Sequence, residues 1–186
     1  MTTVLIVDDE PNVVEAYGLW LEDEYDDVRM ATGGQEALDA IDGTVDVVLL
    51  DRRMPEVSGD EVLAGIHERD LDPRVAMVTA VDPDFDIVDM SFDAYLTKPV
   101  TKPDLVKTVD QLLSLEEYES GVRDQFALAE KRAVLETEMT EAELAESEEY
   151  QELLEELDRL DAETGDSASE LSHDSFAAAV RDLVDE

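Results

Sequence analysis

The chain has no cysteine among its 186 residues, which removes disulfides and thiolate metal sites from consideration. It is also short of cations: 13 Lys and Arg stand against 51 Asp and Glu, a formal net charge of −38 at pH 7. Only Lys98, Lys102, Lys107 and Lys131 supply ammonium groups. Such a surface offers no basic footprint for nucleic acid, and it repels itself in dilute buffer. At roughly 1 M salt the Debye length falls to about 3 Å and relieves that repulsion, so the composition suits a salt-rich cytoplasm. The thermal midpoint is expected to climb steeply from low to multi-molar KCl; a midpoint indifferent to KCl would speak against a halophilic origin.

Long apolar runs are missing as well. The opening "MTTVLIVDDE" has no basic segment and meets acids directly after "VLIV", unlike a signal peptide. Nothing approaches the ~20 apolar residues of a membrane span. The expectation is a cytoplasmic protein with no membrane contact. Hydrophobic residues still make up 44% of the chain and recur at regular spacing, which argues for a folded chain over an acidic disordered one.

What is present divides in two. "TVLIV" at 3–7, "DVRMA" at 27–31, "VDVVLL" at 45–50, "RVAMVT" at 74–79 and "DAYLT" at 93–97 are short, apolar and β-branched, and read as strands. Stretches of helical period lie between them. "PNVVEAYGLWLEDEY" opens on Pro11 at a first helical position and sets Val13, Tyr17, Trp20 and Leu21 on one face. "GQEALDAI" and "GDEVLAGIHER" repeat the spacing, and a fifth helix starts in "TKPDLVKTVDQLLSL" with Thr101 as N-cap. Strands alternating with helices predict an α/β, doubly wound, five-stranded parallel sheet covered on both faces. "VLIV" and "VVLL", apolar throughout, belong at its centre.

The strand "VVLL" stops at Asp51. In an open parallel sheet, ligands bind beyond the carboxyl ends of the strands. Asp8 and Asp9 end the first strand, Asp51 the third and Thr79 the fourth, and Lys98 follows the fifth. One sheet edge thus gathers three carboxylates, a hydroxyl and an ammonium. Crowded carboxylates suit a hard divalent cation such as Mg²⁺. A carboxylate beside Mg²⁺ can take a phosphoryl group as a nucleophile, with Lys98 and Thr79 placed for its oxygens. Any single aspartate in so acidic a chain is an ordinary cap or turn residue; four strand ends with complementary chemistry are not. His67 and His173 have no second histidine at metal-ligand spacing.

"VLIVDDEP", "LLDRRMPEVSGDEVL", "MVTA" and "DAYLTKP" occur in this order, and together they resemble the receiver (CheY-like) domains of two-component response regulators over roughly residues 1–115. The resemblance implies a flavodoxin-like strand order 2-1-3-4-5. It implies Asp51 as phosphoacceptor, a sensor histidine kinase as donor, and Mg²⁺ held by Asp8, Asp9, Asp51 and the backbone carbonyl of Arg53. Thr79 and Tyr95 become switch residues, Lys98 the phosphate-binding lysine, and Lys98–Pro99 a candidate cis peptide. Two departures stand out. Arg52 follows the phosphoacceptor where an apolar residue is common, and "VDPDFDIVDMSF" is short for a fourth-helix region.

Beyond residue 115 proline is absent, and Gly121 is the one glycine before Gly165. Val122, Phe126, Ala129 and Ala133 mark one helical face, and Tyr150, Leu153, Leu154, Leu157 and Leu160 another. Thr140 and Glu143 form a capping-box pattern between them. The expectation is an α-helical hairpin or coiled-coil tail over 116–186, ending in a short helix capped by Asp174. It is similar to the HalX domains of haloarchaeal receivers. An uncovered apolar stripe at Leu153, Leu157 and Leu160 points to a homodimer through the tail. Only Arg123, Lys131, Arg132, Arg159 and Arg181 are basic from Gly121 onward, which argues against direct DNA contact, although the resemblance keeps regulation of transcription open. The chain is read as a signalling protein and not an enzyme. The alternative is a Mg²⁺-dependent phosphatase or phosphotransferase with a phospho-aspartate intermediate, for which no substrate cap is evident.

Overall fold

The computed structural model describes residues 1–115 and 120–164. Its first part is a five-stranded, all-parallel sheet of order β2-β1-β3-β4-β5. The strands are β1 (Thr3–Val7), β2 (Asp27–Ala31), β3 (Val47–Leu50), β4 (Arg74–Thr79) and β5 (Ala94–Thr97). The sequence-predicted third and fifth strands begin slightly early against these bounds. Side chains alternate across the sheet. Val4, Ile6, Val47, Leu49, Ala76 and Val78 pack beneath α1 (Pro11–Leu21) and α4 (Lys102–Ser114). Leu5, Val7, Val48, Leu50, Val75 and Met77 face the opposite side, under α2 (Gly34–Ala40) and α3 (Gly59–Glu68). In α1 the buried face holds Val14, Tyr17, Gly18 and Leu21, so Val14 takes the inward position expected of Val13, and Trp20 is only half-buried.

Between β4 and β5 no α-helix forms. The segment makes a single 3-10 turn, Phe85–Asp89. Asp82, Pro83 and Asp84 leave little chain that favours helix, and the Asp84 carboxylate accepts the Phe85 backbone N–H at 2.7 Å. The turn buries Ile87 completely, yet it is too short to roof β4 and β5.

The roof comes from the tail. Helix α5 (Ser120–Glu138) lies against β5 and the 3-10 turn, and α7 (Glu148–Thr164) packs along α5 and touches the same turn. A short α6 (Glu141–Glu146) joins them. It begins with the expected capping box, in which the Thr140 side chain accepts from Glu143 N and Glu143 reaches back to the Thr140 backbone. Leu135, Leu144, Tyr150, Leu153 and Leu157 are buried in the same core as Leu50, Met77, Ile87 and Phe92.

This corrects the uncovered stripe expected at Leu153 and Leu157. The hairpin does form, but Leu153 and Leu157 are covered within the chain, at 1% and 8% exposure. Pairing with a second copy through them would require the tail to leave the sheet. The expected join between the fifth receiver helix and the tail falls at 116–119, and the expected terminal helix beyond 164; both lie outside the described residues.

Polar contacts of Lys131 and Arg123 help fix the tail. Lys131 is almost wholly buried, at 6% exposure, and donates to the Val88 carbonyl at 2.8 Å, its ammonium 5.3 Å from the centre of the Phe92 ring. Burial lowers its ammonium from the ordinary lysine range to about 8, against the pull of Asp89 and Asp93. Burial pushes the Glu130 carboxyl of α5 above the usual range. Arg123 pairs with Asp72 at 3.1 Å.

Candidate functional site

Each strand of the sheet's centre delivers one group to its carboxyl end. The backbone N–H of Asp51 donates to the Val7 carbonyl at 2.8 Å, and that of Asp8 to the Ala31 carbonyl at 3.2 Å. Both carboxylates are therefore carried on sheet-ordered backbone, at 2% (Asp8) and 5% (Asp51) exposure. The backbone N–H of Lys98 donates to the Thr79 carbonyl at 2.8 Å, extending the β4–β5 ladder one residue. The Lys98–Pro99 peptide is cis.

Lys98 bridges the two acids. Its ammonium lies 2.5 Å from Asp8 Oδ2 and 2.8 Å from Asp51 Oδ1. The other Asp51 oxygen accepts the Arg53 backbone N–H at 2.8 Å, and Asp8 Oδ1 accepts that of Glu10 at 2.9 Å. Burial alone would lower the Lys98 pKa, but the two carboxylates outweigh it and hold the ammonium charged above its ordinary value. Burial raises the Asp51 carboxyl, with the Lys98 ammonium acting against it.

Gly59, at the start of α3, makes this loop possible. A Cβ there would stand 2.3 Å from the Asp51 carbonyl oxygen, and the Gly59 N–H donates to the Arg52 carbonyl at 2.9 Å. Ser58 and Glu61 cap α3 reciprocally, holding its first turn against the loop.

Thr79 is buried at 1% exposure, and its hydroxyl oxygen accepts the Val81 backbone N–H at 3.3 Å. The Val81 carbonyl accepts the Tyr95 hydroxyl at 2.7 Å. The structure thus brings Asp8, Asp51 and Lys98 into direct contact and puts Thr79 and Tyr95 on one hydrogen-bonded path. Asp9 is half-buried beside them. Among the described residues no three acidic or imidazole side chains converge closely enough to cage a metal by themselves. The donor set is nonetheless hard oxygen, with two buried carboxylates sharing one ammonium. That chemistry fits Mg²⁺, which commonly takes one or two carboxylates and keeps several waters.

Sequence reasoning missed two neighbours. Tyr17, read as a core residue, has its phenol within electrostatic range of Lys98, Asp8 and Asp51. Arg52, singled out only as a departure, is a clamp. Its guanidinium pairs with Asp60 of α3 at 3.1 Å and with Asp86 of the 3-10 turn, and it also acts on the Tyr95 hydroxyl.

A parallel 2-1-3-4-5 sheet with acids and a lysine at its carboxyl edge defines a class, and comparison with known proteins agrees. The family model of the response regulator receiver domain matches residues 4–110, and this chain belongs to that family, whose domains operate in two-component signalling. The HalX domain model matches residues 114–180. A Haloferax volcanii protein whose name proposes a transcriptional regulator is 54% identical over 138 residues, covering 74% of this chain and 24% of that one. The response regulator SaeR of Staphylococcus epidermidis is 33% identical over 117 residues, covering 61% of this chain and 51% of SaeR. The chain thus spans about a quarter and about half of these relatives. Among solved structures, response regulator protein TrrA from Thermotoga maritima, in complex with Mg(2+)-BeF, aligns with a TM-score of 0.53 and 34% identity, covering 60% of this chain and 99% of TrrA. Among the described residues no helix is long and apolar enough to cross a membrane.

Proposed function

We propose that this chain accepts a phosphoryl group on Asp51 from a sensor histidine kinase and passes the change to its helical tail. The observation that carries the reading is the Lys98 bridge between Asp8 and Asp51 at the carboxyl edge of the sheet. In the transfer, an Asp51 carboxylate oxygen attacks phosphorus, the P–N bond to the donor imidazole breaks, and its electron pair leaves on nitrogen. Lys98 gives up its contact with Asp51 and pairs with a phosphoryl oxygen, while the Thr79 hydroxyl donates to another. Asp8, Asp9, Asp51 and the Arg53 backbone carbonyl are the donors that would hold Mg²⁺, which when bound supplies neutralisation of the phosphoryl charge.

On this reading residues 1–115 form the receiver and 116–186 the HalX-type output domain, in the cytoplasm. The regulator names of the relatives support signalling over catalysis, and the Haloferax relative's name supports an output in transcription. The tail's acidity favours action through protein contact over direct DNA contact. The test is intact-mass measurement after incubation with acetyl phosphate and Mg²⁺ in high salt. Wild type is expected to gain one phosphoryl group and Asp51→Asn none; undiminished labelling of Asp51→Asn would remove Asp51 from the role.

A further inference from the structure

The tail's seat touches the phosphoacceptor loop by two separate routes. The first starts at Arg52, the residue after Asp51, whose guanidinium grips Asp86 in the 3-10 turn. Two residues on, the Val88 carbonyl of that turn is where the Lys131 ammonium is bound. The second starts at Thr79. Its hydroxyl oxygen holds the Val81 N–H, and the Val81 carbonyl holds the Tyr95 hydroxyl. The Phe92 ring, 5.6 Å from that of Tyr95 and under the Lys131 ammonium, links the two. Both routes end on Lys131 of α5, in a helix whose Leu135 is completely buried.

We propose that the hairpin is a strap across the 3-10 turn and β5, and that phosphorylation of Asp51 loosens it by drawing on Arg52 and Thr79 together. The proposal rests on Asp51 being the phosphoacceptor. A phosphoryl group brings a charge of roughly −1.5 to −2 at pH 7 one residue away from a guanidinium that Asp86 and Asp60 now share. The new anion competes with Asp86 for Arg52 and frees the turn that carries Val88. Where the Thr79 hydroxyl turns to the phosphoryl oxygen, Val81 loses its acceptor and the Tyr95 hydroxyl its fixed partner, which shifts the Tyr95 ring against the Phe92 ring that the Lys131 ammonium covers. The strap loosens without detaching, because Leu135, Leu153 and Leu157 remain more favourable inside the core than in water. The two states share one packed element and differ in how often it opens.

Amide hydrogen exchange of the full chain in multi-molar KCl reads this directly, with peptides from 120–164 as the reporter and those from β1 and α1 as the internal reference. Without any phosphoryl donor, Arg52→Ala and, separately, Asp86→Asn are expected to speed exchange in the reporter by between about 5- and 150-fold, the span of ordinary coupling between sites, and to leave the reference unchanged. With acetyl phosphate and Mg²⁺, wild type showing the adduct by mass is expected to respond in the same peptides. A reporter unmoved in both variants, or unmoved in protein carrying the adduct, overturns the strap. Absence of any adduct instead overturns the phosphoacceptor reading, and the two variants still decide whether Arg52 and Asp86 hold the hairpin down.

Discussion

A chain ended at Leu115 is expected to melt far below the full-length protein in the same multi-molar KCl, or not to fold. The cut falls just past the last receiver helix and would spare every strand. It nevertheless removes Leu135, Leu144, Tyr150, Leu153 and Leu157, which share a core with Ile87, Phe92 and Met77. Each large apolar side chain buried there contributes about 1.5–3 kcal/mol, and the receiver residues left bare lose a comparable cover. Several such losses reach the ~5–15 kcal/mol by which a whole domain is stable. Circular dichroism melts of the two chains measure it. A truncated chain melting within a few degrees of full length would show that the 3-10 turn suffices as a roof. Leu135→Ala in the full chain is the finer version, with an expected cost of about 2–5 kcal/mol.

Lys98→Met should be the most damaging single substitution at the site. It keeps the stem but strands Asp8 and Asp51, whose side chains are 3% and 7% exposed, beside each other without a cation. Removing one partner of a buried pair costs about 3–5 kcal/mol. The sign of the pH dependence follows. Two carboxylates that repel in a buried site have folded pKa values above their unfolded ones. The variant's deficit relative to wild type is therefore smallest below the ordinary carboxylate range, and it grows as pH rises through the raised values. Adding Asp8→Asn to Lys98→Met should recover part of the loss, the coupling expected of groups in contact. Melts at acid and neutral pH, each against wild type at the same pH, check the prediction; a deficit independent of pH would mean that the loss is one of packing and not of charge.

How much could be read from residues alone differs by kind of information. Strands such as "RVAMVT" and the placement of Asp8, Asp51, Thr79 and Lys98 at one sheet edge were legible, since two-sided burial writes a continuous apolar run and a parallel sheet places all its carboxyl ends together. The Thr140 cap was legible for the same local reason. The partner of an apolar stripe was not. Tyr150, Leu153 and Leu157 announce a face that must be covered, but periodicity is silent on whether a second copy or the chain's own sheet covers it. The short 81–92 segment held the clue, because a receiver sheet without a fourth helix leaves β4 and β5 half-roofed. Lys131 was illegible for a different reason: a lysine in "AEKRAV" looks solvated, and its burial depends on a carbonyl and an aromatic ring about 40 residues earlier. Arg52 carried a signal as an unusual neighbour of Asp51, but its partners Asp60 and Asp86 lie on elements whose approach no local pattern encodes.

The borrowed roof also sets a timetable for synthesis. A receiver closed by its own fourth helix has all its core residues once its last helix has emerged. Here the core of the described residues is complete only when Leu157, about 40 residues later, has left the ribosome. At about 5–20 residues per second the nascent sheet waits roughly 2–8 s with Ile87 and Phe92 uncovered, in a chain whose like charges oppose both collapse and aggregation. Such distant contacts slow folding, so ribosome-bound chains with between 115 and 157 residues emerged are where chaperone demand and sensitivity to salt should peak.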